Sequence, residues 1–268
     1  MQNLKTGEFY GQTKEIIRLG GITLTDTEYT HDKVDWHYHE NAYFTFILEG
    51  QVLEGNKKET YHCGSGSLLF HNWQDAHYNI KPPGYTRGFH IEMDREWFNT
   101  LDIKLDKGQG SMQLRNPKLK FLMYKLFKET KNQDVTGSLG IQTILLQSLS
   151  LMLQGQETLS RSVPLWVSKI KSILHDTASQ NWTLQALAQT LDIHPVHLSR
   201  DFSKYFNCTL SDYIRSIKIE RSLALMPNKN LSLTDIAFQC GFADQSHFIR
   251  CFKALNTITP FHFRKLLR

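Results

Sequence analysis

The sequence predicts an α+β protein with an N-terminal β-barrel, two helices after it and an all-helical C-terminal domain. Short runs of β-branched and aromatic residues alternate with turn residues up to about residue 93. The apolar spacing then changes to the helical period near Pro117. A pattern of paired helices occurs twice after residue 180, and such a repeat indicates a repeated structural unit.

The first 110 residues are predicted to form the barrel. Glycine and proline clusters, such as Gly64-Ser65-Gly66 and Pro82-Pro83-Gly84, separate the β-like runs. Many short strands at this spacing are typical of an all-β sandwich or barrel. The clearest predicted strands are 22–27, 42–48, 67–71 and 88–93.

Two amphipathic helices are predicted within residues 111–155, a connector or dimerisation segment. The first begins at Pro117, and the second covers Leu139–Leu153. On the second, three apolar residues would form a core or a dimer interface: Leu145, Leu149 and Met152. The polar stretch 156–163 is predicted to be a linker, and 164–268 the C-terminal domain.

Each repeat in the C-terminal domain predicts two helices joined by a tight turn. In the first repeat Thr183 caps the first helix, the turn lies at 192–194, and Pro195 stands in the first turn of the second helix. In the second repeat Ser232 or Thr234 is the first cap, Gly241 makes the turn and Asp244 is the second cap. The buried faces of the two second helices are predicted to contain Leu198, Phe202, Tyr205, Phe248 and Phe252.

Helices joined in this way form the DNA-binding helix-turn-helix. Residues 210–226 predict one long helix between the repeats, ended by Pro227. This rigid strut would present two recognition helices to successive major grooves, which lie about 34 Å apart. Residues 160–268 carry 14 Lys and Arg against 7 Asp and Glu, whereas the preceding part carries 17 against 19. The basic excess favours double-stranded DNA as the partner.

One segment of the second repeat is highly specific. Residues 235–253 read DIAFQCGFADQSHFIRCFK, and Thr259-Pro260 and Phe263-Arg264 follow. Through these motifs, residues 164–268 resemble the C-terminal domain of the AraC/XylS family of bacterial regulators. The resemblance implies seven helices with two helix-turn-helix units. It also implies base contacts near the start of each recognition helix, from Val196, Ser199 and Arg200 in the first and from Gln245, His247 and Arg250 in the second.

The wider set of candidate DNA contacts adds Lys204, Ser246 and Lys253. Arg200 and Arg250 hold the same position in both repeats, which favours contacts with guanine edges or phosphates over ordinary solvated arginines. Val196 would contact a thymine methyl group or contribute little. The two lysines are phosphate contacts or plain surface residues.

Histidines mark the predicted barrel. His37 and His39 share one face of a strand, and His77 follows a later strand. Over about 20–95 the spacing resembles the two motifs of the cupin barrels, although Tyr43 stands where metal-binding cupins carry glutamate. Three interpretations stay open: contacts with an organic ligand, a metal site, or structural histidines. No cofactor is expected, and a metal held by His37, His39 and His77 is the alternative.

The candidate ligand-binding residues are the histidines and the aromatic residues near them. The predicted effector is a carbohydrate or another small metabolite, because barrel pockets combine apolar walls with a few polar groups. These candidates are Trp36, His37, His39, Tyr43, Trp73 and His77.

The sequence thus predicts a ligand-responsive transcription factor and not an enzyme. A homodimer is expected, formed through the barrel or the second connector helix, with RNA polymerase as a partner if the protein is an activator. One rival is a metal cupin enzyme, such as a dioxygenase or isomerase, tethered to a DNA-binding module. Another is an architectural DNA binder with an inert barrel.

Composition excludes several other classes. No apolar run of about 18 residues predicts a membrane span, and Met1–Tyr10 lacks the apolar stretch of a secretory signal. We therefore expect a cytoplasmic protein, associated with the nucleoid when bound to DNA. Scattered cysteines argue against a disulfide framework and a cysteine zinc site; they are Cys63, Cys208, Cys240 and Cys251.

Overall fold

The computed structural model describes most of the chain, in two units. Contacts divide it into Met1–Leu145 and Leu146–Arg268. The described residues are 1–105, 111–114, 116–131, 137–159, 164–177, 180, 182–206, 208–256 and 258–267.

The first unit contains eleven strands among the described residues. All four predicted strands are present, lengthened or shortened by a residue at their ends. The strands β1 to β11 are Gln2–Leu4, Gln12–Leu19, Ile22–Glu28, Lys33–His39, Ala42–Glu49, Gln51–Asn56, Thr60–Gly64, Leu68–His71, His77–Ile80, Arg87–Met93 and Met112–Gln113.

Ten helices occur in the described part of the chain. The helices α1 to α10 are Arg95–Thr100, Pro117–Thr130, Gly137–Leu159, Leu165–Asp176, Leu184–Leu191, Pro195–Phe206, Leu210–Leu225, Leu233–Gln239, Gln245–Asn256 and Pro260–Leu266. None of them, within these residues, is long and apolar enough to span a membrane. We call β1–β11 the β-domain and α4–α10 the C-terminal domain.

The strands of the β-domain form two sheets. One has the order β1-β4-β9-β6-β7 and the other β11-β8-β5-β10-β3-β2. Only β1 and β4, among the described pairs, run parallel. Residues from both sheets line one cavity, so the sheets face each other around it.

The four inner strands of the six-stranded sheet, β8, β5, β10 and β3, are buried on both faces. In β5, Tyr43 and Thr45 face the cavity, while Phe46 packs against Tyr124 of α2 with ring centroids 4.6 Å apart. Side chains alternate along a strand, so one strand supplies both the cavity wall and the core beneath α2. Position 88 in β10 requires glycine, because the Tyr29 ring lies where the Cβ atom of any other residue would be.

The connector segment confirms the two predicted helices and corrects one boundary. Helix α2 begins at Pro117, with Asn116 as its N-cap. Helix α3 continues to Leu159, four residues into the segment predicted as a linker, while 160–163 lie outside the described residues. Leu145, Leu149 and Met152 are buried within the single chain, so they are core residues and not a free dimer face.

The C-terminal domain has seven described helices, the number that the family resemblance implies. Thr183 caps α5 by accepting a hydrogen bond from the Ala186 N–H. Ser232, not Thr234, caps α8, and Asp235 completes a capping box with it. The predicted strut is α7, which ends at Leu225. Its 16 residues span about 24 Å.

One core joins the first helix-turn-helix to α4 and α7. It buries residues from four helices: Ile170, Leu174, Leu187, Ala188, Leu198, Phe202 and Ile217. Tyr205 was predicted to belong to the buried face, and this is wrong, because its side chain is 37% exposed. Its ring packs edge to face with Trp166, with ring centroids 5.5 Å apart. Phe206, the next residue, packs against the core instead.

Candidate functional sites

The two helix-turn-helix units share a turn built on a residue with positive φ. Asp192 ends α5 with φ 54° and ψ 48°, the left-handed conformation. Gly241, with φ 78°, has the same role after α8. Ile193 and Phe242 then donate backbone hydrogen bonds to Ala188 and Ala237.

The turns differ by one residue. Helix α6 begins three residues after Asp192, whereas α9 begins four residues after Gly241. In the longer turn Asp244 caps α9 by accepting from the His247 N–H at 2.7 Å. This insertion explains why the two repeats are out of register by one position before their recognition helices.

The first recognition helix, α6, exposes its predicted DNA contacts. Val196 is 64% exposed, unusual for a valine, and Ser199, Arg200 and Lys204 are also exposed. The Arg200 guanidinium donates to Asp201 at 3.1 Å and to Nδ1 of His197 at 3.1 Å. An exposed ion pair of this kind contributes about 0–1 kcal/mol to stability, so Arg200 can exchange it for a contact with a DNA phosphate or base.

The second recognition helix, α9, exposes Ser246, Arg250 and Lys253. Arg250 forms no ion pair with any residue in the described part of the chain. Two other predicted contacts are half-buried. The side-chain amide oxygen of Gln245 accepts a hydrogen bond from the Thr234 hydroxyl at 2.9 Å, and the rings of His247 and Phe242 pack edge to face.

The second candidate site is the cavity of the β-domain. The empty space inside it and at its open mouth amounts to about 460 Å³. Four of the six predicted ligand-binding residues line it: His37, His39, Tyr43 and His77.

The other two predicted residues lie elsewhere. Trp36 is 40% exposed, and its ring packs edge to face with Tyr78. Trp73 packs against Phe98 and beneath the Arg95 guanidinium. Neither ring reaches the cavity, so their prediction as ligand contacts is corrected. Several lining residues escaped the sequence analysis: Phe9, Tyr10, Tyr29, His31, Thr45, Glu54, Asn79, Lys81 and His90.

Burial keeps the histidines of this site neutral. Burial and, to a smaller extent, the nearby His37 lower the pKa of His77 to about 3. Burial also lowers the pKa of His90 to about 3 and holds the pKa of His39 well below its ordinary range. The cavity therefore presents neutral imidazoles at neutral pH, not cations.

At the cavity wall, Glu54 forms a buried pair with His71. Oε1 of Glu54 lies 3.5 Å from Nε2 of His71, and Nδ1 of His71 lies 3.0 Å from the Ser111 hydroxyl. Burial raises the pKa of Glu54 to about 8 and holds the pKa of His71 well below its ordinary range. Both shifts favour the neutral forms of the two groups.

A β-domain with a cavity lined by aromatic and polar residues, together with a domain of paired helix-turn-helix units, defines a DNA-binding regulator with a ligand-binding domain. Two family profiles match the chain accordingly: an AraC-like ligand binding domain over residues 19–149 and a helix-turn-helix domain over 187–266. The chain belongs to the AraC family of transcription regulators.

The similar proteins are named as transcription regulators or as an operon regulatory protein. The chain is 25% identical to the uncharacterized HTH-type transcriptional regulator YbfI of Bacillus subtilis, over 79% of this chain and 80% of that one. It is 28% identical to the Msm operon regulatory protein of Streptococcus mutans, over 41% of this chain and 39% of that protein. It is 25% identical to the HTH-type transcriptional activator RhaR of Mannheimia succiniciproducens, over 54% of each.

Among solved structures, ToxT from Vibrio cholerae matches over 92% of this chain and 99% of that chain. Its identity is 14% and its TM-score 0.39.

Proposed function

We propose that the protein is a sequence-specific transcription factor whose α6 and α9 read DNA and whose cavity binds a small-molecule effector. The observation that carries the DNA-binding part is the exposure of Arg200 and Arg250, fifty residues apart, at equivalent positions of the two recognition helices. An arginine can hold the O6 and N7 atoms of guanine with two hydrogen bonds.

The other predicted contact residues of α6 and α9 would have three kinds of role: contacts with bases, contacts with phosphates, and positioning of the helix. Ser199 and Ser246 would donate to base edges or phosphates, and Val196 would contact a thymine methyl group. Lys204 and Lys253 would contact phosphates, because they lie one turn beyond the arginines and have flexible, strongly hydrated ammonium groups. Gln245 and His247 would act mainly by positioning α9, since both side chains are engaged within their own helix-turn-helix.

The cavity favours a carbohydrate or a similar hydroxylated metabolite. Aromatic rings of Phe9, Tyr10 and Tyr29 line it beside the polar groups of Glu54 and Asn79. Rings can cover the apolar face of a sugar while polar groups bond its hydroxyls. An effector that binds more tightly to one DNA-binding state shifts the protein toward that state.

We further propose that the protein acts as a homodimer and, if it activates transcription, contacts RNA polymerase. Leu145, Leu149 and Met152 of α3 are buried within one chain, but Leu139 and Leu146 are exposed, so both the β-domain and α3 stay candidates for the dimer interface. Catalysis forms no part of this proposal. The rival metal-dependent enzyme predicts turnover that is lost in His39→Ala, whereas a regulator predicts that only effector binding is lost.

Selection from a random-sequence DNA library with the full chain tests the DNA-binding part. The expected result is an enriched motif bound at least about 1,000-fold more tightly than unrelated duplex at the same salt concentration. Arg221→Ala, an exposed arginine of α7, is the matched control for loss of one charge. A specificity ratio near one would overturn the proposal.

Thermal unfolding with a panel of sugars and related metabolites tests the effector part. A binding effector stabilises the folded chain, by about 2.7 kcal/mol at one hundred times its Kd. We expect Tyr29→Phe to weaken this stabilisation, because Tyr29 lines the cavity and its hydroxyl lies 3.2 Å from Nε2 of His90, which also lines it. If no metabolite shifts the unfolding temperature, the architectural DNA binder with an inert β-domain becomes the better account.

A further inference from the structure

Three imidazoles converge at one wall of the cavity. His37 and His39 come from β4, and His77 comes from the neighbouring strand β9, whose register places it opposite His37. The three side chains are at most 3% exposed. One ring nitrogen of each lies within 4.8 Å of one ring nitrogen of each of the others.

Backbone hydrogen bonds fix which nitrogen two of these rings present. Nδ1 of His37 donates to the Asp35 carbonyl at 2.9 Å, and Nδ1 of His77 donates to the Asp75 carbonyl at 3.0 Å. Carbonyl oxygens only accept, so the proton lies on Nδ1 and Nε2 carries the lone pair. Metal-ligating histidines are oriented by their second nitrogen in this way.

The third imidazole, that of His39, has a buried nitrogen without a hydrogen-bond partner in the described part of the chain. Nδ1 of His39 is buried and has no hydrogen-bond partner among the residues that the structure describes. Nε2 of His77 accepts from the Tyr43 hydroxyl at 3.2 Å, a longer contact than a typical O–H···O or O–H···N bond. Two lone pairs, on Nε2 of His37 and Nε2 of His77, thus lie beside a third imidazole whose Nδ1 has no partner within the described residues, an arrangement that a cation would stabilise.

We propose that the β-domain binds one divalent transition-metal ion through His37, His39 and His77, with Nε2 as the donor atom of His37 and His77. Neutral imidazoles prefer Zn²⁺, Fe²⁺, Ni²⁺ or Cu²⁺ over Mg²⁺ and Ca²⁺, which prefer oxygen ligands. Bonds of about 2.0–2.1 Å require each imidazole to move inward by less than about 1 Å. The ion takes the place of the Tyr43 contact.

The site differs from a closed structural metal site. Three protein ligands leave a fourth position for water or for an oxygen atom of the effector. The inference therefore rests on the proposed role of the cavity and adds that its occupant carries an oxygen donor. Glu54 and His71 form a second cluster that shares His77, so the assignment must distinguish the two sets.

Calorimetric titration of the untagged full chain, after removal of metal by chelation, with ZnCl₂ and then CoCl₂ tests the site. We expect one equivalent to bind, and His37→Ala and His39→Ala to weaken binding at least about 100-fold, more than the loss of an outer-shell group. His62→Ala, an exposed histidine of β7, is the matched control and should bind like the unchanged chain. His37→Gln replaces His37→Ala if the alanine variant fails to fold.

The results separate the possible failures. No stoichiometric uptake overturns the metal site, as does uptake that survives His37→Ala and His39→Ala but is lost in His71→Ala, which would place the ion at the other cluster. Binding of the same chain to its selected DNA is measured in parallel with chelator present. Retained DNA selectivity without metal uptake refutes this inference alone, whereas metal uptake without DNA selectivity refutes the proposed function.

Discussion

The ammonium group of Lys218, on the strut α7, donates a hydrogen bond of 2.7 Å to the backbone carbonyl of Gly241 in the turn of the second helix-turn-helix. Lys218 is only 8% exposed, which is rare for lysine. Burial lowers the pKa of this ammonium group. The contact joins the strut directly to the turn that sets the direction of α9.

Lys218→Met tests this connection. The variant keeps the length of the side chain but leaves the Gly241 carbonyl without this donor. We expect the free energy of unfolding to fall by about 1–3 kcal/mol, and DNA affinity to fall with it. Chemical denaturation measures the first effect, with exposed Lys229→Met as the control. Equal stability of the two variants would mean that the contact does not anchor the turn.

The positive φ of Asp192 predicts an unusual pattern of substitutions. Glycine adopts this conformation without a steric cost, so Asp192→Gly should be as stable as the unchanged chain or slightly more stable. Asp192→Val should lose about 1–2 kcal/mol, because a β-branched residue is poorly tolerated there. Denaturant midpoints of the two variants give the comparison. A valine variant as stable as the glycine variant would show that this backbone conformation is not required.

A buried ion pair holds β3 to β10. Arg87 donates two hydrogen bonds to Asp26, at 2.7 and 2.6 Å, and Lys131 lies 3.4 Å from the same carboxylate. Arg87→Met should cost about 3 kcal/mol, at the lower end of the range for such pairs because Lys131 remains. Combining it with Asp26→Asn should restore most of the stability in a denaturation experiment. A double variant that is no more stable than Arg87→Met would contradict this.

Glu92 predicts a specific dependence on pH. Burial raises its pKa to about 7, although it accepts a hydrogen bond from the Gly7 N–H at 2.5 Å. The folded chain thus binds this proton more tightly than the unfolded chain. The contribution of Glu92 to stability is fully present below about pH 4.5 and is lost as the pH rises toward 7, by about 3 kcal/mol at most.

Glu92→Gln removes this titration. Relative to the unchanged chain, the variant should gain stability between pH 5 and pH 8, as measured by denaturation at each pH. The difference between the two chains isolates Glu92 from the other buried groups. A constant difference over this range would rule out a raised pKa at Glu92.

The C-terminal domain was largely predictable, because helix caps, turns and apolar spacing are local features that occur twice. Thr183, Asp244 and the strut lie where the sequence placed them. The sequence did not reveal which residues at the end of a helix, such as α6, are covered by helices distant in the chain. Tyr205 therefore seemed buried, although it is exposed.

The cavity was less predictable, because its walls come from strands of two sheets. The spacing of His37 and His39 showed that they share a face, and the structure adds His90 and Glu54 through strand pairing that no local pattern reveals. His90 and Glu92, two residues apart among the apolar residues of Gly88–Met93, were a visible signal of buried polar groups. The directions of Trp36 and Trp73 depend on packing and could not be inferred from residue type.

The central claim is that two equivalent arginines read bases in neighbouring grooves, and competition binding to the selected DNA sequence tests it most directly. Arg200→Ala and Arg250→Ala should each weaken binding to that sequence by about 1–3 kcal/mol, with little change for unrelated duplex, while Arg221→Ala has at most a small and uniform effect. If either arginine variant loses affinity equally for all sequences, or loses none, that arginine does not read a base and the account is contradicted.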